Sequence, residues 1–320
     1  FSDNSKYLFL YVVNNRPEIE AVWISRSRIV IRELRDLGFK AYLPYSFQGI
    51  KYGLRAKVYF FTNSSADINF WTSGKALKVN LWHGIPLKRI RYDVVNGFNG
   101  KKYNSRISII YKFLVPWEFE KPDFLLSSSR QISKIFCSAF RINTHQCLNY
   151  NYPRCELFFS KLETITEHIR RYEHRLAGLI ERLDVHKKKI IYLPTFRDRN
   201  MQNRSLNLSV DLKLDLDDLN DSLIKNNYLL LIKLHPFVDW KFFNRVKYEN
   251  ILILDNKCDI YPVLPFIDIL ITDYSSIIFD FALLRKPIIL YQHDIDDYKK
   301  ERGDLYFDKL RIGPIAKSYA

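Results

Sequence analysis

Short apolar runs alternate with amphipathic stretches along most of the chain. In the first half, Ala21–Ile24 reads as a strand and Arg28–Leu37 as a helix with Gly38 as its C-cap. Ala41–Leu43, Val58–Phe61, Val79–Trp82 and Phe124–Ser127 read as further strands, the last followed by a helix over Arg130–Phe140. Strands alternating with helical patterns predict parallel βαβ units. From Glu156 to Lys189 there is no Pro and only Gly178, and charges and leucines are dense, which reads as a long helical connector. A second series follows, with strands at Ile190–Leu193, Tyr228–Leu234, Ile251–Leu254, Ile269–Thr272 and Pro287–Tyr291. These runs are apolar on both faces, as buried parallel strands must be. The expected architecture is α/β. Two Rossmann-like domains, residues 1–155 and 190–320, are joined by the connector 156–189 and face an interdomain cleft. No short-period repeat is present.

Composition narrows this only slightly. At 320 residues, 47% apolar and 15% aromatic, with 10 Gly and 12 Pro, the chain can bury a substantial core and is neither disordered nor collagen-like. Charge changes the picture more. The net charge is +15, and residues 1–160 hold 24 Lys and Arg against 11 Asp and Glu, whereas residues 161–320 hold 26 against 24. The first half therefore faces something anionic: nucleic acid, an anionic membrane surface or a phosphate-rich substrate. Cys137, Cys147, Cys155 and Cys258 have neither metal-site nor disulfide-framework spacing, as expected of a reduced cytosolic protein. The most apolar region, Phe266–Tyr291, is interrupted by Asp268, Asp273, Asp280, Arg285 and Lys286, so no transmembrane helix is expected, and the first residues do not read as a signal peptide.

Four polar clusters fall at the ends of the strands. In Leu81-Trp82-His83-Gly84-Ile85-Pro86, Gly84 permits unusual backbone or close ligand approach, and His83 can act as a base. Taken alone, the motif fits a structural loop histidine as well. In Leu193-Pro194-Thr195-Phe196-Arg197-Asp198-Arg199, a hydroxyl and guanidiniums suit phosphate oxygens, as they also suit a solvated turn. Lys233-Leu234-His235-Pro236 places a second histidine at a strand end, to hold or protonate a phosphate or simply to complete a turn. In Ile271-Thr272-Asp273-Tyr274-Ser275-Ser276, a buried strand gives way to hydroxyls at a helix start, which can bind phosphate or merely cap the helix. Tyr291-Gln292-His293-Asp294 also follows a strand, while His168, His174 and His186 fall on the connector. In doubly wound folds, residues at strand carboxyl ends line the ligand crevice. No GxxxxGK[ST], no GxGxxG and no acidic metal arrangement occurs, so no metal or cofactor is expected.

In order and spacing these motifs resemble the CDP-glycerol glycerophosphotransferase family, the polyol-phosphate transferases of teichoic acid and capsule synthesis. The resemblance runs through "SDNSKYLFLYV", "AVWISRS", "SFQGIKYGLRAKVYFFTN", Ala66–Trp71, "NLWHGIPLKRI", "SRQISKIFCSAF", "NYPRCELFF", "YLPTFRD", "KLHP", "DIYPVLPFIDILITDYSSIIFDFALLRKPIILY" and "ERGDLYFD". It departs at Asn151, where the family often has Gly, at Cys155-Glu156, where Asn-Asp is usual, and at Lys233-Leu234, where many members have Arg-Pro. The chain begins inside a family motif, which implies a short strand ahead of Phe1.

The resemblance implies a GT-B-like fold and transfer of a polyol phosphate from CDP-glycerol or CDP-ribitol to an acceptor hydroxyl, releasing CMP. It places the catalytic histidines at His83 and His235 and donor-phosphate contacts at Thr195, Arg197, Ser275 and Ser276. Gly84 and Asp273 then line the cleft, and Asp259, Ile260 and Tyr261, leading to Pro262, pass the cytidine. The implied partners are the CDP-polyol and an anionic polymer, oligosaccharide or lipid-linked acceptor. The implied location is cytoplasmic, peripheral on the inner face of the cytoplasmic membrane. Two other readings remain. One is a nucleotide-sugar glycosyltransferase of the same fold, disfavoured by the two histidines with Asp-Tyr-Ser-Ser. The other is a basic membrane-surface or nucleic-acid-binding module, disfavoured for nucleic acid by the lack of any RNA-recognition or helix-turn-helix signature.

Overall fold

The computed structural model describes residues 1–195, 214–234, 248–295, 305–307 and 312–318. It forms two compact units, Phe1–Glu156 and Leu157–Ala320. In the first, β1 (Trp23–Ile24) and β2 (Ala41–Tyr42) pair parallel around the helix Arg28–Asp36. The Ser27 side chain caps that helix by accepting from the Val30 N–H, and Ile31 and Leu34 bury against Ala41. Gly38, at φ +83°, supplies the left-handed residue that lets the chain turn back into β2.

The main sheet of this unit is wholly parallel, in the order β3 (Val58–Phe61), β4 (Leu77–Asn80), β5 (Phe124–Ser127), β6 (Cys147–Asn149). The helix Arg130–Phe140, capped by Ser129, returns the chain from β5 to β6. A helix over Asp3–Asn15 precedes β1, and two more, Gly97–Asn104 and Ser108–Leu114, stand between β4 and β5. β4 ends at Asn80, two residues earlier than the apolar pattern indicates, because Trp82 adopts φ +52° and leaves the pleat.

The second unit holds a six-stranded parallel sheet. Its strands are β7 (Lys188–Leu193), β8 (Tyr228–Ile232), β9 (Ile251–Ile253), β10 (Ile269–Thr272), β11 (Ile288–Tyr291) and β12 (Ile315–Ala316). Their order is β12-β11-β10-β7-β8-β9, so the direction of winding reverses between β7 and β10. Ile191, Leu229, Leu231 and Leu270 are fully buried, as strands covered on both faces require. The stretch read as one connector is two helices, Leu162–Tyr172 and Ala177–Asp184, with a 3-10 turn at His174–Leu176 between them. They belong to the second unit, anchored by buried Ile165 and Ile169. Among the described residues, no helix is long and apolar enough to cross a membrane, and no three His, Cys, Asp or Glu side chains gather to hold a metal ion. All four cysteines are free thiols.

Candidate functional site

In the first unit, polar chemistry gathers at the carboxyl end of β4. Leu81 and Trp82 are buried, and the Trp82 indole packs edge-on against Phe136 and Phe140 at 5.8 and 5.1 Å. Its other face stacks on the His83 ring at 4.2 Å. Trp82 at φ +52° and Gly84 at φ +126° turn the chain sharply on either side of His83. A tryptophan in the left-handed region is costly, and such a conformation persists only where its surroundings over-determine it.

Those surroundings are specific side chains. Asn4, fully buried, donates from Nδ2 to the carbonyls of Leu81 and Trp82 at 3.2 and 2.8 Å. Asn80 Oδ1 accepts from the Trp82 N–H at 2.8 Å. Arg154 donates from Nη1 to the His83 carbonyl at 3.1 Å, while the same guanidinium pairs with Asp3 at 2.7 Å. The Arg154 N–H in turn donates to Asn4 Oδ1 at 3.3 Å. Three successive carbonyls are thus held by side chains distant in sequence.

The protonation of His83 follows from its neighbour. Nδ1 lies 3.3 Å from the Thr62 carbonyl oxygen, which can only accept, so Nδ1 carries the hydrogen and Nε2 keeps its lone pair. His83 is exposed, yet the Trp82 ring and the Thr62 carbonyl crowd its imidazole. This loss of hydration pushes the imidazole below its ordinary value of 6.5. The Asp3 charge and the Thr62 hydrogen bond oppose the shift, Arg154 adds to it, and Asp67 opposes it more weakly. At neutral pH His83 is therefore an uncharged base. Gly84, expected as a lining residue, is buried and serves the turn.

In the second unit, polar chemistry gathers where the winding reverses. Leu193 and Thr272 are register partners at the ends of β7 and β10, and Thr272 Oγ1 donates to the Leu193 carbonyl at 2.6 Å. One residue beyond β10, Asp273 is buried and spans the two strand ends. Its carboxylate accepts from the Thr195 N–H at 3.0 Å, and from the Thr195 hydroxyl and the Tyr274 N–H. Gln292 Nε2 donates to the Asp273 carbonyl at 3.2 Å, and Tyr274 OH donates to Asp294 at 3.2 Å.

Ser275 and Ser276, both half-buried, lead into the short helix Ile277–Ala282. The Ser275 hydroxyl accepts from the Ile277 N–H at 3.4 Å, whereas the Ser276 side chain makes no cap hydrogen bond. Tyr261 joins the cluster from outside, donating its hydroxyl to Asp280 of that helix at 2.7 Å while its ring stacks on Phe158 at 6.1 Å. Asp259 Oδ1 accepts from the Tyr261 N–H at 3.1 Å, and Asp259 and Ile260 are themselves buried.

Thr195, Asp273, Ser275, Ser276 and Tyr261 are therefore gathered in one unit, and His83 with Gly84 in the other. His235 and Arg197 lie outside the described residues. Asp3, Asn4, Asn80 and Arg154 all stand in the motifs quoted above, yet the sequence alone assigns them no role. A polar side chain that bonds loop carbonyls has no periodicity to announce it.

Two wholly parallel α/β units, one presenting a neutral imidazole at a strand end and the other hydroxyls at a topological switch point, define a GT-B-like protein. The chain belongs to the CDP-glycerol:poly(glycerophosphate) glycerophosphotransferase family, whose model matches residues 1–320. It is accordingly a transferase.

Among its relatives is a teichoic acid poly(glycerol phosphate) polymerase of Bacillus spizizenii, 29% identical over 330 residues, 99% of this chain and 78% of that one. A teichoic acid poly(ribitol-phosphate) polymerase of the same organism is 32% identical over 250 residues, 75% of this chain and 36% of that one. The chain spans only 42% and 41% of the poly(glycerol phosphate) polymerases of Staphylococcus epidermidis and Bacillus subtilis. Among solved structures, a histidine-to-asparagine variant of the wall teichoic acid polymerase TagF, soaked with CDPG, superposes with TM-score 0.74 at 26% identity. That match covers 99% of this chain and 74% of that one.

Proposed function

We propose that the protein transfers glycerol phosphate from CDP-glycerol to an acceptor hydroxyl of an anionic, teichoic-acid-like polymer or its lipid-linked primer, releasing CMP at an anionic membrane surface. The observation that carries this is His83: uncharged, held in one tautomer, and fixed by its backbone. The acceptor hydroxyl gives its proton to Nε2 as its oxygen bonds to the donor's distal phosphorus. The bond from that phosphorus to the bridging oxygen breaks, and CMP leaves with the electron pair. Charge grows on the equatorial oxygens, where fixed donors give the largest stabilisation. We assign that role to Arg197, Ser275, Ser276 and His235, with Asp259–Pro262 beside the cytidine, while Thr195, expected among the phosphate contacts, gives both its N–H and its hydroxyl hydrogen to Asp273. The Asp273 contacts support this assignment by fixing Thr195 beside the loop that carries both serines.

The test is CMP release from CDP-glycerol, CDP-ribitol and UDP-sugars offered in parallel. Release from CDP-glycerol with an acceptor gaining glycerol phosphate by mass is expected. Turnover of a UDP-sugar alone would sink the assignment. The ribitol polymerase among the relatives makes CDP-ribitol the second reading.

Two further results are expected. The acid limb of kcat/KM should have its midpoint below 6.5, because lowering the pKa of His83 leaves more of it unprotonated at any given pH. A midpoint at or above that value would contradict the neutral base. Ser276→Ala and His235→Ala should each weaken CDP-glycerol binding as well as turnover, read by calorimetry and by CMP release. Unchanged donor affinity in both would remove them from the phosphate site.

A further inference from the structure

Arg26 follows β1, and Ser64, Ala66 and Asp67 follow β3. Together with Trp117 they line a cavity of about 420 Å³ within the first unit. Both segments leave the carboxyl ends of parallel strands, where folds of this kind hold their ligands.

The cavity offers three kinds of contact. Arg26 is exposed, and its Nη2 donates to the Ala66 carbonyl at 3.1 Å; among the described residues no carboxylate pairs with it. Asp67 Oδ2 accepts from the N–H groups of Thr62 and Asn63 at 3.3 and 2.8 Å, and among the described residues Oδ1 has no donor. The Ser64 hydroxyl makes no cap hydrogen bond. Trp117 meets Phe70 edge-on at 5.9 Å, which fixes the indole as a wall. Arg26 and Asp67 thus share one cavity without forming an ion pair.

Opposite charges held apart suit a ligand that carries an anion and hydroxyls together. Inorganic phosphate answers Arg26 and leaves Asp67 and Trp117 unused. A neutral sugar leaves the guanidinium unanswered. A glycerol phosphodiester answers each: its negative charge meets Arg26, its hydroxyls meet Asp67 and Ser64, and its C–H groups lie on the indole.

The cavity is also tied to the base. The Thr62 carbonyl that fixes the His83 tautomer stands two residues before Ser64, at most about 7 Å of chain. Between them, the Asn63 carbonyl accepts from Asn80 Nδ2 at 3.2 Å, and Asn80 also holds the Trp82 N–H. The segment that lines the cavity is therefore pinned to the loop that carries the imidazole.

We propose that this cavity is an acceptor subsite. It binds the phosphodiester and glycerol that precede the terminal unit of a growing chain, and so delivers the terminal hydroxyl to His83. This deepens the function proposed above and rests on that reading for the identity of the ligand. An acceptor that already carries a glycerol phosphodiester is then preferred over one that does not.

Glycerophosphoglycerol, a phosphodiester between two glycerols, is the probe, with glycerol and inorganic phosphate beside it. In calorimetry without donor, the whole protein should bind the diester about tenfold more tightly than either control. Arg26→Gln should weaken that binding by about tenfold or more, the usual worth of a charge-assisted hydrogen bond. Arg28→Gln, which removes the same charge from an exposed position two residues along, should not. Unchanged thermal unfolding of both variants shows that the fold is intact. With CDP-glycerol present and the diester as acceptor, Arg26→Gln should raise the acceptor KM by about tenfold and leave donor affinity within twofold. Equal diester binding by Arg26→Gln and wild type overturns the proposal. So does a wild type that binds inorganic phosphate as tightly as the diester, or that binds neither. Diester binding without CMP release counts against the transfer and leaves the subsite standing, whereas release with a KM unchanged by Arg26→Gln overturns the subsite alone.

Discussion

His83→Ala is expected to lower CMP release from CDP-glycerol by about 10²–10⁴-fold, the usual worth of a positioned base, with donor affinity within twofold of wild type. The split follows from where the residue stands. The imidazole belongs to the first unit, on a loop held by Asn4, Asn80 and Arg154, whereas the residues assigned to the donor phosphates lie in the second. His83→Gln keeps a polar side chain of similar reach but no basic nitrogen, so it should fail equally. Near-normal turnover by either variant would remove the base from His83. A parallel loss of donor affinity would make the residue a donor ligand instead.

Asp273→Ala should produce the largest loss of stability among the site substitutions. Its carboxylate, 3% exposed, accepts from two N–H groups and one hydroxyl, and these become unpaired donors in a buried setting. Leaving buried donors unsatisfied costs about 2–4 kcal/mol here, or roughly 30- to 1000-fold in local opening. Hydrogen exchange of the β7 and β10 amides reads this directly, with β4 and β5 as an internal reference. Donor binding should weaken as well, because Thr195 and the Tyr274 N–H, at the start of the loop that carries the two serines, lose their shared anchor. Protection unchanged in β7 and β10 would show that Asp273 does not join them.

Much of the fold is legible in the sequence where a single rule dominates. Val58–Phe61, Phe124–Ser127 and Ile269–Thr272 are short, apolar, flanked by polar residues, and form strands over those bounds. Arg130–Phe140 is a helix whose serine cap and periodic apolar face agree. The pattern misleads where tertiary contacts overrule it. Trp82 has a strand-forming side chain, yet carbonyl bonds from Asn4 and packing against Phe136 and Phe140 hold it in a turn. The charged stretch after Glu156 reads as one helix but breaks at Glu173, with no proline or glycine at the break. β12 has two residues and depends on its neighbour for existence, so no local signal marks it.

The candidate site divides in the same way. His83, Ser275 and Ser276 stand out because a polar residue at the end of an apolar strand is conspicuous. Asp273 stands out at the same strand end, but the way its buried carboxylate joins two strands is a contact that spans 78 residues of sequence and is not legible there. Asp3, Asn4 and Arg154 act through contacts spanning 71–151 residues of sequence, and nothing in their immediate neighbourhoods announces it.

Those last contacts set an order of assembly. The side chains that fix the His83 loop come from Asn4 near the start of the first unit, from Asn80 beside the loop, and from Arg154, almost the unit's last residue. During synthesis, β3 and β4 can pair as soon as they are made, since both are local and parallel neighbours. Asn4, Asn80 and Thr62 are already present when His83 is made, but the His83 carbonyl waits a further 71 residues for Arg154, which also meets Asp3. Contacts of such long range form late because loop closure must precede them. The last contact that positions the imidazole is therefore also among the last its unit can make.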